Sequence, residues 1–281
     1  QIGTTTWANP KFKFKSEYIS PVKTGDYTVQ ICDSLWLNRS FRKVIEEKIA
    51  EAPLKQKRYV YSDVGFILLG MLVEQLAGMP MEAYLQREFY GPMGLERTGY
   101  FCQAHALPAA RPPNLNRFYA ARQYLPLRRF AKSEIVPSNK DRFLRKETLQ
   151  GFVHDEASAF FGGLAGNAGL FSTARDVARV YQMLLNGGEI DGQRYLSKET
   201  CQLFTTEISK ISRRGLGFDK PDADDPKKGN CAPAAPAEVY GHTGFTGTCA
   251  WVDPMNELVY VFLSNRIYPD VTNRKLIRLH I

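Results

Sequence analysis

Apolar residues recur along the chain with two different periods, and the change from one to the other organises it. From Ser40 to Glu51 the apolar positions Phe41, Val44, Ile45 and Ile49 lie three or four residues apart. That spacing predicts a surface helix with one apolar face and Ser40 as its N-cap. A second helix follows Tyr61-Ser62-Asp63 and runs to about Ala77, where Gly78 ends it. It is apolar almost throughout, so a buried element is expected. Pro80 is placed to start a third helix reaching about Tyr90. The glycine-rich stretch 161–172 leads into a helix with apolar positions Val177, Val180, Tyr181, Leu184 and Leu185, capped by Ser172 and closed by Gly187.

In the last third the period changes. Val239 to Phe245, Thr248 to Asp253 and Glu257 to Ser264 are β-rich, and Pro254-Met255-Asn256 is a turn that makes the last two an antiparallel hairpin. A final helix begins near Arg274 and heads towards Ile281. Near the start, Lys11, Lys13 and Lys15 alternate with Phe12 and Phe14, as in a half-exposed strand or an extended arm. Between Phe101 and about Gln123 no period holds, and the segment reads as a loop insertion. Central helices followed by antiparallel strands predict a mixed α/β (α+β) architecture.

Composition narrows this little. With 281 residues, 44% of them hydrophobic, the chain is long enough to bury a full core. Its most apolar run, Val64 to Val73, is too short to span a bilayer, and no secretory leader is legible from Gln1 onward. The net charge of +8 invites a nucleic-acid reading, but residues 101–150 hold ten Lys/Arg against three Asp/Glu. The excess is therefore local and carries no nucleic-acid-binding signature, so a solvated basic face is the reading. Five scattered cysteines (Cys32, Cys102, Cys201, Cys231, Cys249) contain no C-x-x-C and no nearby histidine pair, so neither a zinc site nor a disulfide framework is expected. No cofactor is implied.

Two short motifs carry chemistry. Tyr61-Ser62-Asp63 opens the apolar helix, and Gly241-His242-Thr243-Gly244 lies on the strand leading into the final hairpin. Around them stand Tyr-Ser-Asp-Val-Gly-Phe-Ile-Leu-Leu-Gly (61–70), Tyr-Gly-Pro-Met-Gly-Leu-Glu-Arg-Thr (90–98), Gly-Asn-Ala-Gly-Leu-Phe-Ser-Thr-Ala-Arg-Asp (166–176) and Gly-His-Thr-Gly-Phe-Thr-Gly (241–247). In order and spacing these resemble the serine β-lactamase and penicillin-binding-protein family, on its class C-like and esterase-like branch. There a Tyr-x-Asn or Tyr-Ser-x element and a Lys-Thr-Gly or His-Thr-Gly element accompany a Ser-x-x-Lys nucleophile. The match is most similar to the β-lactamase-like domains fused behind some bacterial glycoside hydrolases.

The resemblance implies one β-lactamase-like domain over residues 1–281, an antiparallel sheet flanked by helices plus a helical region, with the N-terminal part of that fold missing. It implies roles residue by residue. Tyr61 is the general base or proton shuttle of an acyl-transfer serine. Asp63 holds the nucleophile-side lysine or a substrate N–H, although the family's asparagine can donate as well as accept. His242 stands where a lysine is usual, Thr243 holds a substrate carboxylate, Gly244 lets the substrate backbone pass, and the Phe245 N–H forms half of an oxyanion hole. The substrate is then a small molecule or a peptidoglycan peptide, met in the periplasm or another extracytoplasmic space. By contrast, His154-Asp155-Glu156 reads as structural, because adjacent loop residues point apart. The 162–169 loop lacks phosphate-binding forms.

A Ser-x-x-Lys pair works by sharing a helix face. Ser20-Pro-Val-Lys23 is followed by Thr24-Gly25, and Ser40-Phe-Arg-Lys43 lies on a charged helix 21 residues before Tyr61. Neither fits a central nucleophile helix. The expectation is therefore that the chain is the C-terminal portion of a longer protein, is inactive by itself, and has its nucleophile in a preceding segment; a missing N-terminal segment or an upstream glycosidase domain is the expected intramolecular partner. A serine hydrolase acting through an acyl-enzyme leads; a non-catalytic descendant that binds cell-wall peptide is the alternative, and a small-ester esterase a third reading.

Overall fold

In the computed structural model of the chain, the residues described are 16–53, 59–100, 134–139, 144–222, 224–225 and 229–278. The alternating Lys/Phe segment, Cys102 and the 101–123 insertion lie outside them. The described residues fall into two compact units, one within 1–91 and 96–171, the other within 92–95 and 172–281.

In the first unit, β1 (Ile19–Ser20), β2 (Tyr27–Cys32) and β3 (Leu35–Asn38) form an antiparallel sheet of order β1-β3-β2. Glu147 fastens the β2–β3 turn, accepting from the Ser34 N–H at 3.1 Å and its hydroxyl at 2.6 Å. Helix α1 (Phe41–Glu51) buries Phe41, Ile45 and Ile49, the stripe its spacing predicts. Each such side chain contributes roughly 1.5–3 kcal/mol. Ser40 occupies the N-cap position, but its side chain makes no cap bond; the hydroxyl donates to Asn38 Oδ1 at 2.8 Å instead.

Helix α2 (Asp63–Ala77) ends at Gly78 in the left-handed region, as predicted. It is buried on one face only. Val64, Ile67 and Gly70 face the core beside Phe160 and Phe161, while Leu69, Leu72 and Leu76 are exposed. A sequence apolar almost throughout does not show which face is covered, and the expectation of a buried helix is corrected to one buried on a single face. Pro80 sits at the cap before α3 (Met81–Leu85), which continues as one wide π turn, Gln86–Tyr90. Strands β4 (Gly99–Tyr100) and β5 (Leu170–Phe171) pair antiparallel, and α4 (Glu156–Ala159) lies between them in sequence. The side chain of Arg145 is buried, with its guanidinium donating to the Val153 and His154 carbonyls at 2.7 and 2.8 Å.

In the second unit, α5 (Ala174–Leu185) is capped by Thr173 rather than Ser172, because the Thr173 hydroxyl accepts from the Asp176 N–H at 3.2 Å. A short hairpin, β6 (Glu189–Ile190) and β7 (Gln193–Arg194), leads to α6 (Lys198–Thr205). Strands β8 (Tyr240–Gly244), β9 (Thr248–Asp253) and β10 (Leu258–Phe262) form an antiparallel sheet of order β10-β9-β8. Helix α5 packs across β9 and β10. The predicted turn is closed by Asp253, whose carboxylate accepts from the Met255 and Asn256 N–H groups at 3.0 and 3.2 Å. The last element described is α7 (Lys275–Arg278). Among the described residues no single helix is long and apolar enough to cross a membrane.

Candidate active site

The predicted site residues fall into two groups, one in each unit. In the first, Tyr61 stands just before the cap of α2 and is 45% exposed. Its ring lies 5.8 Å from that of Phe66 one turn into the helix. Ser62 is the N-cap residue but makes no side-chain cap bond, and its hydroxyl is buried with no hydrogen-bond partner among the described residues. Asp63 opens the helix. Burial pushes its carboxyl above the usual aspartate range, and the charge of Asp155 adds to the effect.

Asp155 is the cap of α4, accepting from the Ser158 N–H at 2.6 Å and from the Asn167 amide at 3.1 Å. This gives His154-Asp155-Glu156 a structural role through its middle residue. The Asn167 carbonyl oxygen is buried with no partner among the described residues. The glycine-rich loop that carries Asn167 presses onto α2. A Cβ on Gly166 would collide with the Phe66 carbonyl, and a Cβ on Gly70 would come within 3.1 Å of the Gly166 nitrogen. Glycines here permit close approach of loop to helix, a use that differs from cradling phosphate.

The second group is built on β8. The His242 ring is bound at both nitrogens, Nδ1 2.7 Å from the Thr243 carbonyl oxygen and Nε2 3.1 Å from Arg214 Nη1. Arg214 in turn donates to Asp219 at 3.0 Å. Asp219 is fully buried and also accepts from Arg213 at 3.1 Å, Asn230 at 2.6 Å and the Lys220 N–H at 2.9 Å. Its own backbone pairs with Gly241 in both directions, at 2.7 and 3.0 Å. Thr243 is exposed on the strand. Gly244 has a reason within the hairpin itself, since any Cβ there would run into the Thr248 hydroxyl. Phe245 is the first residue past the strand, 65% exposed, with the Arg266 guanidinium 4.6 Å over its ring. Arg266 is anchored by the Asn273 carbonyl at 3.0 Å.

Arg214, Asp219 and Arg266 escaped sequence reasoning. Arg213-Arg214 and Asp219 look like ordinary loop charges until the fold buries the carboxylate. The two Ser-x-x-Lys matches, neither of which fits a nucleophile helix in the sequence, are placed as follows. The Ser20 hydroxyl turns back to the Val22 carbonyl at 2.7 Å, and no helix follows it. Lys43 is 81% exposed and faces Glu47, away from any role beside Ser40. Among the described residues no group of three or more His, Cys, Asp or Glu could hold a metal.

Comparison with known proteins decides the lineage. The family model described as Beta-lactamase matches residues 22–280, through both motif groups. The chain belongs to the β-lactamase family. Among curated relatives, a protein of Escherichia coli K12 named "Putative D-alanyl-D-alanine carboxypeptidase" is 32% identical over 236 residues, covering 81% of this chain and 50% of the relative. A protein of the same name from Salmonella gallinarum is 30% identical over 239 residues, covering 82% and 51%. The chain thus spans about half the length of the curated relatives it matches. Among solved structures, EstCE1, described as a hydrolase with promiscuous acyltransferase activity, aligns with a TM-score of 0.51 at 17% identity, over 83% of this chain and 59% of that one. This last likeness speaks to the fold alone. The β-lactamase/transpeptidase-like fold expected from the motifs is the one found.

Proposed function

We propose that the protein is a serine hydrolase of the β-lactamase, D-Ala-D-Ala peptidase and esterase type, working through an acyl-enzyme. The observation that carries the reading is the Tyr61–Asp63 group. An exposed tyrosine stands two residues before a carboxyl raised by burial and by a second carboxylate, with the buried Ser62 hydroxyl and Asn167 carbonyl oxygen unpartnered among the described residues. A carboxylate such as Asp63 suits an ammonium group, and a lysine beside a serine hydroxyl is what acyl transfer in this family uses. In this reading Tyr61 shuttles the proton, Asp63 receives the ammonium, Thr243 and Gly244 line the substrate, and the Phe245 N–H stabilises the oxyanion. The nucleophile is not assigned to Ser20 or Ser40.

A single domain over the whole chain is part of the proposal, supported by a family match that runs through both units. The relatives' names favour a peptide ending in D-Ala-D-Ala as substrate and hence an extracytoplasmic location. The test uses the protein at the length of its curated relatives. A D-Ala-D-Ala peptide, nitrocefin and a p-nitrophenyl ester are compared as substrates, and the acylated residue is mapped by mass spectrometry. Turnover of at least one substrate, with a serine acyl adduct and a loss of about 100-fold or more in Tyr61→Phe, is expected. Absence of any adduct with all three would sink the proposal and leave a ligand-binding descendant.

A further inference from the structure

We infer that Arg214 is a positioning residue that fixes His242 as the tautomer protonated on Nδ1, so that the histidine holds the Thr243 peptide. A guanidinium has only donors, so the nitrogen facing it must accept. Nε2, 3.1 Å from Arg214 Nη1, is therefore unprotonated, and the ring proton sits on Nδ1. From there it is donated to the Thr243 carbonyl oxygen at 2.7 Å. The other neutral tautomer would set donor against donor at Arg214 and lone pair against lone pair at Thr243. A doubly protonated ring would still fail at Arg214.

The guanidinium cannot turn away to relieve such a conflict. Its Nη2 is tied to Asp219, which Arg213, Asn230 and the Lys220 N–H also hold and which is fully buried. Asp219 is in turn paired through its backbone to Gly241, the residue before His242. The connection Asp219, Arg214, His242, Thr243 thus begins at the residue paired with Gly241 of β8 and ends on β8 itself. It clamps the peptide that precedes Gly244 and Phe245, whose N–H the proposed reaction uses. Where the family resemblance places a lysine as a cation, this chain places a ring with both nitrogens engaged and a guanidinium behind it.

The bearing on catalysis rests on the acyl-transfer reading, but the tautomer does not, so the two can fail separately. The test is a long-range proton–nitrogen spectrum of the labelled chain, with the His242 signals assigned through His242→Gln. Protonated Nδ1 and unprotonated Nε2 are expected. Arg214→Lys, which can only donate, should keep that pattern, and Arg214→Met should move both nitrogens towards the averaged shifts of an exchanging ring. Protonated Nε2 in the wild type overturns the inference. So does an unchanged pattern in Arg214→Met, or a Lys variant indistinguishable from the Met one. Should Arg214→Met not fold, the wild-type spectrum alone decides, since unprotonated Nε2 supports the inference and protonated Nε2 removes it.

Discussion

Replacing Asp219 by Asn removes one charge and almost no volume, yet it should be among the costliest single changes in the second unit. The carboxylate is fully buried and accepts from Arg213, Arg214, Asn230 and the Lys220 N–H. An amide keeps only one of its two acceptor oxygens and turns an NH2 group towards existing donors. Removing one partner of a buried ion pair costs about 3–5 kcal/mol, because the surviving charge is left without compensation. Here the two guanidinium groups retain some water, with side chains 29% and 17% exposed, and Arg213 keeps Asp222 at 3.7 Å. The low end therefore applies, about 3 kcal/mol. In a chain of this size that lowers the unfolding midpoint by roughly 6–12 °C. The assay is thermal and urea unfolding followed by circular dichroism, with Asp191→Asn as the control. Asp191 also pairs with an arginine, Arg179, but it is 69% exposed, and a change within about 0.5 kcal/mol is expected. An Asp219→Asn protein within about 1 kcal/mol of wild type would refute the claim that this carboxylate organises the strand.

Gly241→Ala should destabilise by several kcal/mol, on the order of 3, since its Cβ would strike the Ala250 carbonyl and come within 2.6 Å of the Trp251 ring; urea midpoints with an unchanged m-value check this. Ile67→Ala removes a side chain only 2% exposed in the core of the first unit and should cost about 2–5 kcal/mol, whereas Leu76→Ala, at a position 79% exposed, should stay within about 0.5. Asp63 carries a pH prediction. Its folded carboxyl titrates above the unfolded value, so the native state binds more protons between the two, and stability falls as pH rises through that window. In Asp63→Asn that fall should be reduced; denaturant midpoints measured from acid to neutral pH, with equal slopes in both proteins, would remove Asp63 as its source.

The elements were legible wherever apolar spacing was regular. Phe41, Ile45 and Ile49 appear on the buried face of α1, and the β9–β10 hairpin falls at the turn its sequence names. Capping was less legible, because hydroxyl residues stand side by side. Ser172 and Thr173 are both competent caps, and the loop geometry chose Thr173. The face of α2 was illegible for a different reason, since a run such as Ile67-Leu68-Leu69 has no polar residue to mark the outside. The candidates Tyr61, Asp63 and His242 came from short motifs that gain weight from the sequence around them. Arg214 and Asp219 gain their meaning from burial and from a pairing of Asp219 with Gly241 across 22 positions, which no local pattern encodes.

The packing of Gly166 against the Phe66 carbonyl has a mechanical consequence. With glycine on both the loop and the helix, there is no side chain between the two backbones to act as a compressible spacer. Loop and helix are therefore coupled through direct backbone contact. The two residues after Gly166 are held as well, through the Asn167 amide to Asp155 and through the Ser158 hydroxyl to the Ala168 carbonyl. Tyr61 packs on Phe66, whose carbonyl is the point of contact, so a single added methyl group at Gly166 should be felt at Tyr61 through that residue.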